Sequence, residues 1–326
     1  MKAVALVSGG LDSLLAVKIM KDMGADIIPL HVVTPFNSSC CSDLTLLSEF
    51  LENQKLELKT INAGMDYLEM VKKPKFGYGS AINPCKDCRL YMFRKAKEVM
   101  EKEGADFVVT GEVIDQRPMS QNIKAMRLVE QEAGLGGIIV RPLSGKILPT
   151  TIPEIKGLIN RDKLLDIKGR SRKKQAELAK RFGLDKWPNS AGGCLLTDKR
   201  FAYKLKDLLK HKPNYSVDDI ALLKVGRHFR LSEDTKLVIG RNQNESQMLS
   251  YFNKYIKLIP SNFNGPTGVL DGKIELSELA ASILYAYSDN VDSPLIKLDF
   301  INSIKYIIPK IITRESAKKY SIIKNQ

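Results

Sequence analysis

VALVSGGLDSLLAV, residues Val4–Val17, sets two glycines, an aspartate and two serines between two apolar runs, within the first twenty residues of the chain. Ala3–Val7 is short, apolar and rich in β-formers, which predicts a buried parallel strand. Leu14, Leu15, Val17 and Ile19 begin a helical stripe. Between them lies Ser8-Gly9-Gly10-Leu11-Asp12-Ser13. Glycine lets a backbone turn tightly and come close to a ligand. A loop that opens a helix presents unpaired N–H groups, and the helix dipole favours an anion there. Ser8 and Ser13 add hydroxyl donors. Asp12 is out of place in an anion site unless a metal or an ammonium group balances it, and a nucleotide with Mg²⁺ meets that condition. An ordinary glycine-rich strand-to-helix turn is the plainer reading of the same residues.

The remaining alternation extends the strand–helix reading. Ile27–Val33, Glu57–Ile61, Phe107–Thr110 and Ile138–Val140 read as further strands. Leu14–Met23, Asp43–Glu52 and Lys86–Glu103 read as helices, with Gly24 and Gly104 as stop signals. The expected fold class is α/β, a doubly wound parallel sheet whose ligand lies at the carboxyl ends of the strands. Ser8–Ser13 falls at such an end.

The string SGGLDS lacks the Gly-Lys-Ser/Thr of a Walker motif. It resembles the SGGxDS signature of the PP-loop ATP pyrophosphatases, an adenine nucleotide alpha hydrolase-like group. That resemblance implies that ATP and Mg²⁺ bind across Ser8, Gly9, Gly10, Leu11, Asp12 and Ser13. It also implies cleavage between the α- and β-phosphates and transfer of AMP to a substrate oxygen. The adenine is expected against the strand end His31–Val33, with His31 itself given no acid–base role.

The chain has 326 residues, 44% of them hydrophobic, enough for two or three domains and a substantial core. No apolar run is long enough for a membrane span, so no membrane partner is expected. The chain enters its first strand at once, so no leader is expected and the expected location is cytoplasmic. The net charge is +14, and the segment Lys156–Lys212 holds 17 Lys and Arg against 6 Asp and Glu. Such density suits a polyanion, a phosphate backbone above all; a solvated lysine-rich face is the plainer alternative.

Three regions are expected: 1–150, an ATP-binding domain; 151–212, a basic connector carrying the distal cysteine; and 213–326, a small α+β domain. Within the connector, Pro149–Arg170 reads as irregular. A helix is expected from Ser171 as N-cap to Phe182, a loop over Trp187–Cys194, and a basic amphipathic helix near Arg200–Lys210. Further on, Leu222–Leu231 and Lys236–Gly240 read as a hairpin, Glu245–Tyr255 and Leu276–Ser288 as helices, and Ile256–Ile259 as a strand. LLKVGRHFRL and KLVIGRNQNESQML resemble the RNA-binding segment of the NFACT family. His228, in the first of these, is expected to pack or to touch RNA rather than bind metal. The tail from Lys297 matches no pattern.

The five cysteines are Cys40, Cys41, Cys85, Cys88 and Cys194. An odd number argues against a disulfide framework. Cys85 and Cys88 open a helix as Pro-Cys-Lys-Asp-Cys, where the dipole would lower a thiol pKa. Cys194 sits on a glycine-flanked loop that can approach them. Residue spacing leaves open a redox pair, a zinc site short of one ligand, a three-thiolate [4Fe–4S] cluster with one open iron, and inert buried thiols.

PCKDC, then GADFVVTGE, then GGCLLTD, all on a PP-loop domain, resemble the tRNA uridine thiolases, the 2-thiouridylases and 4-thiouridine synthetases. The resemblance implies a [4Fe–4S] cluster on Cys85, Cys88 and Cys194, with Cys85 and Cys194 in sulfur transfer and Gly111 in the nucleotide site. It implies tRNA as substrate: a uridine carbonyl oxygen is adenylylated with Asp12 holding metal or nucleotide, and sulfur then replaces AMP. The base must be reached outside its stack. Free sulfide or a separate carrier is the expected sulfur donor, and a homodimer is compatible with the reading. Where the 2-thiouridylases read TGH, this chain reads Thr110-Gly111-Glu112, so no role is carried over for that histidine. Gln116, Arg117 and Ser120 are expected on the ligand side. Cys40 and Cys41 are expected to be spare thiols. A PP-loop sulfur-insertion or amidation enzyme of a small molecule and a non-catalytic RNA-binding module are the alternatives.

Overall fold

The structure is a computed structural model that describes residues 1–37, 44–184, 186–187, 194–300 and 303–323. The chain divides into two compact units, Met1–Thr197 and Asp198–Gln326. The stretch 151–212, expected as one connector, is shared between them.

The first unit runs β1 (Lys2–Leu6), α1 (Leu11–Asp22), β2 (Asp26–Val33), α2 (Thr45–Asn53), β3 (Lys59–Asn62), α3 (Met65–Lys72), α4 (Cys85–Glu103), β4 (Phe107–Thr110), α5 (Ile123–Glu132), β5 (Ile139–Val140), α6 (Ile152–Ile155) and α7 (Lys173–Arg181). The strands form one sheet in the order β3-β2-β1-β4-β5, and every pairing is parallel. β1 is central, flanked by β2 and β4, and Ala3, Val4 and Ala5 are buried on both faces. That explains its continuous apolar run. The strand order reverses between β1 and β4, the switch point at which open α/β sheets bind ligands.

Helix α1 starts at Leu11, earlier than the expected Leu14, because Gly10 serves as its N-cap and carries Asp12 into the first turn. Leu14, Val17 and Met20 pack into the sheet core. Leu11, Leu15 and Ile19 pack on the opposite side, against Leu143, Ile167 and Ala179. Two stripes are therefore buried. Gly104 ends α4 in the left-handed conformation. Ser171 is not the N-cap of α7: the helix begins at Lys173, and Arg172 precedes it with no side-chain cap.

The second unit runs α8 (Lys199–His211), α9 (Val217–Leu223), β6 (Arg227–Arg230), β7 (Lys236–Ile239), α10 (Gln243–Ser250), β8 (Ile256–Pro260), β9 (Gly268–Asp271), α11 (Ser277–Tyr285), β10 (Ile296–Phe300), β11 (Ser303–Ile307) and α12 (Arg314–Lys318). The antiparallel sheet has the order β11-β10-β8-β9-β7-β6. β6 and β7 pair as the expected hairpin. The long strand read over Leu222–Leu231 is corrected: Leu222 and Leu223 close α9, held by a Ser216–Asp219 capping box, and only Arg227–Arg230 pairs. The unassigned tail supplies β10, β11 and α12, and Ile296, Leu298, Ile307 and Ala317 join the core beneath α11. No helix among the described residues is long and apolar enough to cross a membrane.

Candidate active site

The loop after β1 is held by its own serines. The Ser8 amide donates to Ser13 Oγ at 3.3 Å, the Ser13 hydroxyl donates to the Gly10 carbonyl at 2.7 Å, and the Gly10 amide donates to Ser8 Oγ at 3.4 Å. Ser13 is buried and its proton is spent inside the loop, so it acts as a lock rather than as the outward donor expected. Gly9 has φ +76°, which glycine tolerates without strain. Gly111, just past β4, comes so close that a Cβ there would lie 2.4 Å from the Asp12 carbonyl oxygen. The two loops at the switch point therefore meet backbone to backbone.

Asp12 lies in the first turn of α1. Its Oδ2 accepts from Gln116 Nε2 at 3.1 Å and faces Arg172 Nη2 at 3.9 Å. Oδ1 is buried without a hydrogen-bond partner. Arg172 supplies part of the balancing charge for which the sequence reading looked to Mg²⁺, while Oδ1 has no hydrogen-bond partner. One carboxylate oxygen beside a glycine loop at a helix start fits Mg²⁺, which takes one or two carboxylates and completes its shell with phosphate oxygens and water. His31 is buried and its Nδ1 is hydrogen-bonded to the Val7 carbonyl at 2.8 Å, tying the end of β2 to β1. Val33 ends β2, and its carbonyl accepts from the Ala63 amide.

The cysteines converge from distant parts of the unit. Cys85 begins α4 after Pro84, and Cys88 follows one turn later. Residue 194 bridges Asn37, and the Leu196 carbonyl accepts from the Ile82 amide, which brings the distal loop beside the start of α4. Burial raises the Cys88 thiol, with partial relief from the Tyr67 hydroxyl, which donates to its sulfur at 3.2 Å, and from Arg89. Burial and the neighbouring Cys88 and Cys85 push Cys194 up to about 12, with Arg117 opposing. The expected lowering by the helix terminus is corrected for Cys88: desolvation outweighs the dipole. Among the described residues no group of three or more His, Cys, Asp or Glu stands ready to hold a metal ion. The donor set of three soft thiols fits iron–sulfur ligation by chemistry, and ligation would require each to lose its proton. Cys40, Cys41 and residues 188–193 lie outside the described residues.

A buried ionic network joins these parts, and no motif signalled it. Glu112, 3% exposed, sets Oε1 at 3.1 Å from Arg89 Nε and Oε2 at 2.9 Å from Arg141 Nε. Arg141 also pairs with Glu130. Burial alone would raise the Glu112 pKa; the two guanidiniums overcome this and hold it below the usual carboxylate range. Glu112 thus follows Gly111 on the β4 loop and grips the helix that carries Cys85 and Cys88. Asp87 fixes the same helix turn from another side, accepting from the Lys75 and Phe76 amides at 2.7 and 3.1 Å. Of the other expected residues, Ser120 is buried and Arg117 is exposed.

Residues 1–147 match the family described as thiamine biosynthesis protein (ThiI), and residues 226–321 match the NFACT protein RNA binding domain. The resemblances drawn from the motifs hold for both segments. A probable tRNA sulfurtransferase of Thermococcus kodakarensis is 31% identical over 146 residues, 44% of this chain and 37% of that protein. The matched part thus spans little more than a third of this relative. A 4-thiouridine synthetase crystallised with RNA and bound ATP aligns over 68% of this chain and 52% of its own, with 21% identity and a TM-score of 0.41. The U34-tRNA thiolase NcsA of Methanococcus maripaludis, solved with its [4Fe–4S] cluster, aligns over 69% and 71%, with 16% identity and a TM-score of 0.37.

Proposed function

We propose that this protein is an ATP-dependent tRNA uridine thiolase. The observation that carries the reading is the meeting of two chemistries at one end of one sheet. A locked glycine loop with a free Asp12 oxygen lies at the switch point; Cys85 and Cys88 stand on the helix that Glu112 ties to it through Arg89, and Cys194 lies on the loop beside the start of that helix. The likeness of residues 1–147 to tRNA sulfurtransferases, and of residues 226–321 to an RNA-binding domain, supports the same assignment.

In this reading the first-turn amides of α1 and the Ser8–Ser13 loop hold the pyrophosphate of ATP, and Asp12 Oδ1 holds Mg²⁺. Gln116 and Arg172 keep the Asp12 carboxylate oriented. The loop aligns the α-phosphorus with a uridine carbonyl oxygen; that oxygen bonds to phosphorus as pyrophosphate leaves. Positioning and charge stabilisation supply most of the rate, as in phosphoryl transfer generally. Sulfur, from sulfide or a separate donor, then replaces the activated oxygen and AMP departs with it. Cys85, Cys88 and Cys194 would hold the [4Fe–4S] cluster, which supplies an iron able to carry that sulfur. Tyr67, Asp87 and Arg89 orient the cysteine helix. A reaction on tRNA implies a cytoplasmic location.

The test is iron, acid-labile sulfide and zinc on protein purified without oxygen, beside Cys194→Ala, followed by thiolation of unmodified tRNA with ATP and sulfide. About four irons and four sulfides per chain, lost in the variant, with thiouridine formed only by the intact protein, is the expected result. Zinc, or no metal, with no thiouridine would overturn the reading.

A further inference from the structure

Residues 115–121, in the loop between β4 and α5, are pinned to one another. The Asp115 amide donates to the Gln121 carbonyl at 2.7 Å, the Gln121 amide to the Arg117 carbonyl at 2.8 Å, and the Asn122 side-chain amide to the Pro118 carbonyl at 2.7 Å. Asp115 takes φ +60°, a left-handed conformation that persists in a non-glycine residue only where its surroundings enforce it. This fixed loop touches the nucleotide side and the thiol side of the site at once. Gln116 donates to Asp12 Oδ2. Three residues on, Met119 lies against Gly79, where an added Cβ would meet its Cε at 3.2 Å. The Gly79 amide donates to the carbonyl of Asn83, two residues before Cys85, and the Ile82 amide donates to the carbonyl of Leu196, two residues after Cys194.

Arg117 stands between those two contacts, and it is exposed. Arg89, Arg141 and Arg172, around the same site, each face a carboxylate. The Arg117 guanidinium has no ion pair or hydrogen bond among the described residues. Its charge reaches the Cys194 sulfur, where it favours the thiolate against burial. An exposed guanidinium without a counter-charge, on a loop that cannot swing away, suits an anion, and its planar fork matches phosphate. Two phosphate sources are available. ATP has the first-turn amides of α1 for its own phosphates. The RNA nucleotide must meet both Asp12 and the thiols, and Arg117 is the unpaired cation on the loop that spans them.

We propose that Arg117 receives a backbone phosphate of the RNA nucleotide that is modified, and so holds its base between Asp12 and the cysteines. The assignment rests on the thiolase reading and deepens it. It makes Arg117 a substrate-binding residue and residues 115–121 the rigid mount that carries it. A phosphate contact fixes register without reading sequence, so Arg117 positions the base and leaves its identity to other groups.

The experiment compares the full protein with Arg117→Ala, whose side chain is exposed, so that folding is not at stake. Lys102→Ala is the control, removing an exposed cation from the end of α4, where the Glu103 carbonyl accepts from Lys2 at the start of β1. Filter binding of unmodified tRNA at several salt concentrations is measured beside calorimetric titration with a non-hydrolysable ATP analogue, and thiouridine formation is followed with each protein. Arg117→Ala is expected to weaken tRNA binding about tenfold from the lost charge-assisted bond. The slope of log K against log salt should fall by about one, with affinity for the ATP analogue unchanged and the KM for tRNA raised. Lys102→Ala should change none of these. Unchanged tRNA affinity and slope in Arg117→Ala would overturn the proposal. So would an equal fall in Lys102→Ala, which would report net charge alone, or a loss of affinity for the ATP analogue, which would put an ATP phosphate at Arg117. If tRNA binding depends on Arg117 as expected but the intact protein forms no thiouridine, the thiolase reading fails and the RNA contact stands. If Arg117→Ala forms thiouridine with the KM of the intact protein, only the contact fails.

Discussion

Gly111 and Glu112 are neighbours with opposite physical roles. Gly111 matters for the atoms it lacks. Any Cβ there would overlap the Asp12 and Ser13 backbone at 2.4–2.6 Å, and backbone cannot rotate away as a side chain tip can. Gly111→Ala is therefore expected to lower stability by about 1–3 kcal/mol and to abolish ATP-dependent AMP formation; thermal melts and an AMP assay check the two effects separately. Glu112 matters for its charge. Replacing it with Gln leaves Arg89 and Arg141 without their shared counter-charge, and removing one partner of a buried pair costs about 3–5 kcal/mol. Urea unfolding of Glu112→Gln reads this directly, and a loss under about 1 kcal/mol would show the network to be dispensable. The motif singled out Gly111 as a candidate, and its close approach to Asp12 needs a glycine there. It said nothing of Glu112 beyond its departure from a family pattern, because the two arginines that explain it come from α4 and the end of β5.

Two helices carry the argument at the scale of elements. α1 is buried on two stripes, so it depends on packing more than on propensity. Leu15, fully buried between the α1 and α7 side chains, is expected to cost about 2–5 kcal/mol when truncated to Ala, measured by denaturant unfolding. α8 has the opposite design. Phe201, Ala202, Leu205 and Leu208 are buried, while Lys199, Tyr203, Lys206 and Lys210 are exposed at spacings of four, three and four residues. Those spacings place one aromatic within a stripe of cations on one face, suited to RNA backbone and a stacked base. If tRNA binds there, Lys206→Ala and Lys210→Ala should each lower the slope of log K against log salt by about one and weaken binding to all sequences alike. Filter binding at several salt concentrations decides it, and an unchanged slope would remove α8 from the interface.

At the scale of the molecule, the second unit buries three basic groups, Lys204, His228 and Lys236. Lys236 is 4% exposed, and burial brings it down to about 7 although Asp207 lies 3.9 Å away. Asp207 cannot reverse this because Arg230 holds it at 2.5 Å. Burial and Arg241 bring Lys204 down to about 8, and His228, packed with Nε2 against the Val225 carbonyl, lies well below its ordinary value. In each case the unfolded chain binds more protons than the folded one. Stability must therefore rise with pH: through the region below 6.5 for His228, and from about 7 to above 10 for Lys236. Melting of the second unit is expected to rise between pH 6 and pH 9, and Lys236→Met should flatten the upper part of that rise. A flat profile in the intact protein would refute the assignment.

The sequence by itself determined the parallel sheet, the glycine loop between β1 and α1 and the identity of the thiols, because strand burial, glycine turns and cysteine chemistry are local properties written at fixed spacing. It also marked the α8 cations and the hairpin of the second unit. Only the tertiary structure decided that Arg172 and Gln116 face Asp12 and that Glu112 ties the cysteine helix to β4. Burial, rather than the helix dipole, sets the state of Cys88, and the unassigned tail completes a sheet. These features join residues far apart in the chain, and no period or motif encodes a contact whose two halves lie on different elements.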